Sequence, residues 1–312
     1  MEVVAAVAAA ATWPPTRNGP LVGLLSCKES LLELDQPNSS STSGAMLQFG
    51  NLSLKRCRHG WMLYPELEST APYVGKCLEL YGQYSESELA LIRRFVDHGE
   101  TVIDFGANIG ALTVPMSKMV GDTGRIYAIE SHPPTFNVLC ANLALNGIQN
   151  VKPMNAFVAM HADANPDEAA FFGAKSWSGS YLSLDSLDLE SLHFLKIDVD
   201  GSELEVFRSG EMQIERFRPI LYFENEIREK STELLKFVMR SVGYDAYFHP
   251  AVLFEPNNFF GNTVNHWAPS ELVSMMVLAV PAERKLNIGL KRIANSDDWW
   301  DFGIPVSSYF AS

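Results

Sequence analysis

The sequence of 312 residues has little cysteine, a deficit of basic side chains and no long hydrophobic run. Its four cysteines lack C-x-x-C or Cys/His spacing, which argues against a zinc site or a disulfide framework. No segment reaches the ~18 consecutive apolar residues of a membrane-spanning helix, and the G-x-S-x-G elbow of serine hydrolases is missing. With 24 Lys and Arg against 37 Asp and Glu, the formal charge of −13 disfavours sequence-independent nucleic-acid binding. We therefore expect no nucleic-acid partner and no stable membrane insertion.

Composition divides the chain into four segments. Residues 1–44 are rich in Ala, Ser, Pro and Asn, which is typical of a flexible extension, and residues 45–80 are predicted to form strands or turns. Residues 81–285 carry the main domain, and residues 286–312 are expected to pack on it. The apolar run near the N-terminus has the length of a signal-peptide core, but Glu2 stands where a basic residue is expected. We predict a cytoplasmic protein and leave a targeting segment and the oligomeric state open.

Strand-like and helix-like stretches alternate regularly through the main domain. Because helical crossovers join parallel strands, this alternation predicts an α/β fold with a parallel sheet covered on both faces. The last two strands have no helix between them and can pair antiparallel, and residues 163–183 interrupt the alternation as an insertion. The predicted strands are 101–105, 125–129, 151–157, 192–199, 220–223, 244–248 and 275–280.

Residues 102–110 (VIDFGANIG) read as a strand, a glycine turn and the start of a helix. Gly106 and Gly110 allow the backbone to approach a ligand closely, and the helix N-terminus behind them offers free N–H groups. About 20 residues on, Glu130 ends the next strand, where a carboxylate can accept hydrogen bonds from both hydroxyls of a ribose. An acid, a glycine turn and a second acid in this order predict a binding site for an adenosine ligand.

The charges around the glycine turn indicate which adenosine ligand fits. A dinucleotide-binding turn has the pattern G-x-G-x-x-G, but Asn108 stands at the position of the middle glycine. Asp104, just before the turn, would repel a pyrophosphate and attract an amino group. We therefore predict S-adenosylmethionine as the cofactor, with Asp104 at its amino end and Glu130 on its ribose. Asn108 is expected to shape the loop, and Asn155, at the end of the third strand, to contact the adenine.

Eight short motifs, in this order, resemble the FkbM-like family of S-adenosylmethionine-dependent methyltransferases. The resemblance runs from Tyr81 to Pro281 and implies a doubly wound class I methyltransferase fold with seven strands, the last one antiparallel. It also implies methyl transfer, usually to an oxygen, and a small-molecule acceptor such as a sugar, a lipid head group or a secondary metabolite. Family members often carry Glu where this chain has Asp200. The motifs are YGQYSE (81–86), VIDFGANIG (102–110), AIESHP (128–133), NLALN (142–146), LDSL (184–187), LKIDVDGSE (195–203), RPILYFE (218–224) and MVLAVP (276–281).

Several acids follow the fourth and fifth predicted strands, where a class I fold holds the transferring methyl group. Alternation places Asp198 and Asp200 on the same side of an extended strand, and Glu224 ends the next strand. Three interpretations stay open for Asp198: a general base for the acceptor hydroxyl, one of several carboxylates around a divalent ion, or a solvated rim charge. We predict Asp198 as the catalytic base, Asp200 and Glu224 as acceptor contacts, and no bound metal.

Two further residues and two other functions stay open. His249 follows the sixth strand and is an alternative catalytic base, because an imidazole titrates near neutral pH. Tyr84 either folds over the donor or packs against the helix that follows it. The alternatives to a methyltransferase are a nicotinamide- or nucleotide-dependent enzyme on a related sheet and a ligand-binding module without turnover.

Overall fold

The computed structural model describes residues 47–49, 51–65, 72–158, 180–267 and 273–300. The predicted N-terminal extension lies outside the described residues, as do most of the predicted insertion and the end of the predicted C-terminal segment. The strands are β1 (Leu47–Phe49), β2 (Leu52–Cys57), β3 (Gly60–Pro65), β4 (Thr101–Phe105), β5 (Arg125–Glu130), β6 (Val151–Val158), β7 (Ser180–Leu182), β8 (Phe194–Ile197), β9 (Ile220–Glu224), β10 (Tyr244–Val252) and β11 (Val273–Pro281).

The α-helices of the described residues are short. The longest has 13 residues, and none is both long and apolar enough to cross a membrane. They are α1 (Pro72–Tyr81), α2 (Glu86–Ile92), α3 (Thr113–Val120), α4 (Pro133–Leu145), α5 (Glu203–Ser209), α6 (Glu211–Phe217) and α7 (Arg228–Lys236).

Eight strands form the central sheet, in the order β10-β11-β9-β8-β4-β5-β6-β7. The six strands from β9 to β7 in this order pair in parallel, and β11 lies antiparallel between β9 and β10. The predicted α/β fold, with a mostly parallel sheet and an antiparallel last strand, is confirmed. The structure adds an eighth strand, because the three-residue β7 pairs with the outer edge of β6.

The strand order reverses at β4. From β4 the chain builds outward through β5 and β6, and it later returns to pair β8 with the other side of β4. Crossovers that leave on opposite sides of one strand open a crevice at the carboxyl ends of the strands, which is where α/β sheets bind their ligands. This topology predicts a functional cavity above the ends of β4 and β8.

The fourth strand of the predicted series, β8, is shorter than its sequence pattern suggests. It is buried at all four positions, including Lys196, and it ends at Ile197 instead of Val199. Burial of an unpaired ammonium costs several kcal/mol, so a lysine in such a strand requires acidic partners. The acids that follow Ile197 consequently lie in a loop, where strand alternation does not fix their direction.

A separate antiparallel sheet has the order β1-β2-β3. Two asparagines attach it to the central fold, one within α4 and one directly after it. Asn142 accepts from the backbone N–H of Leu63 at 2.7 Å and donates to the carbonyls of Leu63 and Ile109 at 2.9 and 2.8 Å. Asn146 pairs with the backbone of Trp61 in the same way, at 3.0 and 2.8 Å. The NLALN motif thus fixes β3 against the helix that follows β5, beside the loop that carries Ile109.

Candidate active site

A cavity of about 620 Å³ lies at the carboxyl ends of the central parallel strands. Its wall includes the ends of β4, β5, β8 and β9, together with side chains from α1 and the residues before α2. Most of the residues that the sequence singles out line this cavity, and three do not. Those that line it are Tyr84, Asp104, Gly106, Asn108, Glu130, Asp198, Asp200 and Glu224; those that do not are Gly110, Asn155 and His249.

Two backbone N–H groups hold Glu130, the last residue of β5. The N–H of Asn108 donates to Oε2 at 2.9 Å, and the N–H of His132 donates to Oε1 at 2.8 Å. Burial raises the pKa of this carboxyl to about 7, although the two N–H groups act in the opposite direction. Each carboxylate oxygen keeps acceptor capacity beyond its one N–H donor, which is what the two hydroxyls of a ribose require.

Asp104 of β4 is fully buried in the cavity wall. The hydroxyl of Thr113 donates to its Oδ2 at 2.6 Å. Its Oδ1 has no hydrogen-bond partner among the described residues and lies 3.5 Å from Nζ of Lys196. Buried polar atoms are normally hydrogen-bonded, so an unused carboxylate oxygen beside the cavity fits the amino group of S-adenosylmethionine.

The two glycines of the turn serve protein packing more than ligand access. Gly106 has φ +83°, and a Cβ there would lie 1.8 Å from the carbonyl oxygen of Asp198. Gly110 has φ +86°, and its Cβ would lie 2.8 Å from Leu139 of α4. The close approach that Gly106 permits is therefore between the loops after β4 and β8. Gly110 does not line the cavity, contrary to the prediction that it gives backbone access to the ligand.

Asn108 shapes the turn between these glycines. It adopts a left-handed conformation with φ +50°, which asparagine tolerates better than most residues. Its Oδ1 accepts from the backbone N–H of Ile109 at 2.7 Å, while its own N–H is the one that holds Glu130. The residue therefore connects the glycine turn to the carboxylate that ends β5.

The acceptor side of the cavity begins with Asp198, one residue after β8. Its side chain is 28% exposed, and its Oδ2 accepts a hydrogen bond from Nζ of Lys196 at 3.2 Å. The prediction that Asp198 and Asp200 project from one extended strand is wrong, because Asp200 is in a left-handed conformation with φ +51°. The loop nevertheless brings both carboxylates to the cavity.

Several carboxyl groups lie close together on the acceptor side of the cavity. Burial and the negative charges of Asp198 and Glu226 raise the pKa of Glu224 well above its usual range. Burial and Asp198 likewise raise the pKa of Asp200. Glu203 stabilises the loop after β8. Its Oε1 accepts hydrogen bonds from the backbone N–H groups of Gly201 and Val199 at 2.9 and 3.3 Å. The other acids on this side of the cavity therefore disfavour one another's charged forms.

Two predicted site residues lie behind the cavity wall. His249 is buried, its Nδ1 lies 2.7 Å from the hydroxyl of Tyr222, and burial lowers its pKa to about 4. An imidazole outside the cavity cannot touch the acceptor, so the geometry does not support His249 as the base. Asn155 donates from Nδ2 to the carbonyls of Glu130 and Ser131 at 2.8 and 2.9 Å. It therefore positions the end of β5 and does not line the cavity itself.

Lys196 and Glu88 are residues that sequence reasoning missed. Lys196 lies between Asp104 and Asp198, and the signal for it is a lysine within an apolar parallel strand. Glu88 of α2 is 1% exposed, and Oγ of Ser85 donates to its Oε1 at 2.6 Å. Burial raises the pKa of Glu88 to about 7, and Lys196 acts against this shift. No sequence pattern distinguishes Glu88 from Glu86, two residues before it, which lies 2.6 Å from Nε2 of His59.

Tyr84 combines the two roles left open for it. Its side chain lines the cavity and also packs, partly buried, against the apolar residues of α1 and α2. Burial raises the pKa of its hydroxyl well above the usual value. Among the described residues, no group of three or more His, Cys, Asp or Glu side chains has the arrangement of a metal site.

The strand order and this site define a class I methyltransferase domain. Residues 104–246 match the family model described as the methyltransferase FkbM domain. This match covers 143 of the 312 residues, so this part of the chain is similar to an FkbM methyltransferase domain, and S-adenosylmethionine is the cofactor of this class. Glu130, with two fixed oxygens, and Asp104, with one unused oxygen, fit the ribose and the amino group of this cofactor.

Similar curated proteins share short stretches of sequence with this chain. The tRNA(Phe) (4-demethylwyosine(37)-C(7)) aminocarboxypropyltransferase of Methanocaldococcus jannaschii is 38% identical over 60 residues, 19% of this chain and 24% of that protein. The protein-L-isoaspartate O-methyltransferase of Methanosarcina mazei is 35% identical over 92 residues, 28% and 38% of the two chains. The chain thus spans less than half of the length of either relative.

Solved structures of methyltransferases are also similar to this chain. The methyltransferase FkbM of Methylobacillus flagellatus KT has a TM-score of 0.43 at 16% identity, covering 60% of this chain and 44% of that one. An S-adenosylmethionine-dependent O-methyltransferase of Thermotoga maritima has a TM-score of 0.42 at 14% identity, covering 75% and 79%. At these scores the assignment rests on the strand order and on the family match.

Proposed function

We propose that this protein transfers a methyl group from S-adenosylmethionine to a hydroxyl oxygen of a small-molecule acceptor. The observation that carries the proposal is a single cavity with Glu130 and Asp104 on one side and the partly exposed Asp198 on the other. The first two carboxylates suit the donor, and the third is open to an acceptor. A site with this division can hold two reactants in contact, which is the main requirement of a displacement reaction.

On the donor side, the chain's own groups bind and orient. Glu130 would accept the two ribose hydroxyls, and Oδ1 of Asp104 would accept the amino group. Tyr84 and Asn108 line the same cavity. When bound, S-adenosylmethionine supplies a methyl group attached to a positively charged sulfur. The excess of carboxylates over cations around the cavity favours such a ligand electrostatically.

On the acceptor side, Asp198 would act as the general base. As the acceptor oxygen forms its bond to the methyl carbon and the bond from that carbon to sulfur breaks, a carboxylate oxygen of Asp198 takes the hydroxyl proton. Asp200 and Glu224 would contact other polar groups of the acceptor. The surplus of acid here would repel phosphate groups, which favours a small hydroxylated acceptor over a nucleic acid.

The donor half of the proposal is tested by isothermal titration calorimetry with S-adenosylhomocysteine, with NAD as the control ligand. We expect saturable binding of S-adenosylhomocysteine alone, and its loss in an Asp104→Ala, Glu130→Ala double variant. Binding of NAD, or equal binding by the double variant, would contradict the proposed donor site.

The base is tested with an Asp198→Asn variant in a screen of hydroxylated acceptors that detects S-adenosylhomocysteine release. We expect the rate of methyl transfer to fall by about 10²- to 10⁴-fold, because the neutral amide cannot take the proton. Affinity for S-adenosylhomocysteine should change by no more than about threefold, the size of a weak indirect coupling. The matched control is Asp97→Asn, which changes an exposed aspartate that does not line the cavity. A fully active Asp198→Asn variant would exclude Asp198 as the base.

A further inference from the structure

Lys196 joins the donor side of the cavity to the acceptor side. Its Nζ lies 3.5 Å from Oδ1 of Asp104 and 3.2 Å from Oδ2 of Asp198, and its side chain is 2% exposed. Burial lowers the pKa of Lys196, but the negative charges of Asp198, Asp104 and Glu88 outweigh burial and raise it. The ammonium is therefore charged and is shared by carboxylates that serve different reactants.

The two carboxylates depend on this ammonium to different degrees. Oδ2 of Asp104 is held by Thr113, while Oδ1 has no hydrogen-bond partner and has Lys196 as its nearby cation. Asp198 accepts a hydrogen bond from Lys196 directly. A shift of the ammonium towards or away from Asp198 consequently changes the field at the unused oxygen of Asp104, since this interior screens charges weakly.

We propose that Lys196 is a positioning residue that couples the acceptor-side Asp198 to the affinity of the donor site. When Asp198 is charged, it holds the ammonium in its shared position, and Oδ1 of Asp104 is fixed for the amino group of the donor. When Asp198 loses its charge, the ammonium moves towards Asp104 and competes with that amino group. The inference rests on the donor site of the proposed function but not on the identity of the acceptor.

The test is a double-mutant cycle on the dissociation constant of S-adenosylhomocysteine, a ligand that needs no acceptor. We expect Lys196→Met to weaken binding by about tenfold, because Asp104 loses the cation that compensates for burial of its charge. Asp198→Asn should weaken binding by about threefold in the wild-type background and have no effect in the Lys196→Met background. The control is Lys236→Met, which changes an exposed lysine of α7 and should leave the affinity unchanged.

The binding stoichiometry separates positioning from a purely structural role. A positioning role raises the dissociation constant at one site per chain, whereas partial loss of folded protein lowers the stoichiometry at unchanged affinity. A folded Lys196→Met variant with an unchanged dissociation constant would overturn the inference. Should Lys196→Met fail to fold, the same cycle with Asp104→Asn and Asp198→Asn applies, and the effect of Asp198→Asn should vanish without Asp104. Additive effects in either cycle overturn the inference, even where the wild type binds S-adenosylhomocysteine normally. A wild type that does not bind this ligand removes the donor site and the inference together.

Discussion

The donor side and the acceptor side of the cavity use the same type of side chain but hold it differently. On the donor side, Glu130 accepts two backbone N–H groups and Asp104 accepts the hydroxyl of Thr113. On the acceptor side, Asp200 and Glu224 accept no hydrogen bond from any described residue, and burial together with neighbouring acids raises the pKa of both. The donor-side carboxylates are therefore held by hydrogen bonds, whereas the acceptor-side acids lie close enough to disfavour one another's charged forms.

This difference has a physical consequence for ligand recognition. Carboxylates that are already hydrogen-bonded lose little conformational freedom when a ligand arrives, which suits a cofactor bound in the same way in every turnover. Carboxylates that repel one another are stabilised by a proton, a hydroxyl donor or a cation. The acceptor side is thus expected to adapt to its ligand more than the donor side does.

The largest expected effect comes from disrupting the contact between the loop after β4 and the loop after β8. In Gly106→Ala, the new Cβ would lie 1.8 Å from the carbonyl oxygen of Asp198 at φ +83°, so the loops after β4 and β8 must separate. We expect a loss of unfolding free energy above about 4 kcal/mol, measured by urea denaturation. The control, Gly147→Ala, has φ +65° but nothing within 4 Å and should cost about 1 to 2 kcal/mol. Equal losses would show that the two loops are not in close contact.

An effect of intermediate size is expected on the donor side, where the affinity for S-adenosylhomocysteine should depend on pH through Glu130. Because the pKa of Glu130 is raised to about 7, its charged form is the minor one at pH 6 and the major one at pH 8. A charged carboxylate accepts the ribose hydroxyls better than a neutral one, so affinity for S-adenosylhomocysteine should rise by up to about tenfold over this interval. Calorimetry at several pH values measures it.

The variant Glu130→Gln provides the comparison for this pH dependence. It lacks the titrating group, so its affinity should be lower at pH 8 and nearly independent of pH between 6 and 8. An equal rise in affinity in the variant would assign the pH dependence to another group, of which His132 is the nearest along the chain.

The smallest expected effect concerns the acceptor side. The folded protein raises the pKa of Glu224 above its unfolded value, so the folded state retains the proton more strongly. Stability is therefore present at low pH and is lost as the pH rises above the ordinary range of a glutamate. Glu224→Gln removes this loss. The difference in unfolding free energy between variant and wild type should therefore be about 1 kcal/mol more favourable to the variant at pH 8 than at pH 5.

The control for Glu224→Gln is Glu229→Gln, an exposed glutamate in the first turn of α7. It should show no gain that increases with pH, because its side chain is exposed and does not line the cavity. Urea denaturation at both pH values measures the two variants. A destabilised Glu224→Gln variant at pH 8 would mean that the acids on this side are compensated in the folded protein.

The sequence by itself predicted the strand series of the main domain and the two acids that it places at the donor side. Asp104 and Glu130 could be recognised because parallel strands bring their carboxyl ends to the same edge, so that acids at two strand ends must lie near each other. The charge argument that favoured S-adenosylmethionine over a dinucleotide needed only Asp104 and Asn108. Each of these inferences depends on short-range patterns along the chain.

Only the tertiary structure decided which residues meet across the cavity. Lys196 and Asp104 are far apart in sequence, and their pairing depends on the register between β4 and β8. The end of β8 at Ile197 and the left-handed Asp200 come from the packing of that loop against Gly106, and strand alternation could not predict them. His249 lies behind the cavity because the register of β10 with β11 directs it towards Tyr222. Residue type and the succession of strands along the chain can be read from the sequence, but register and loop packing are set by contacts between distant segments.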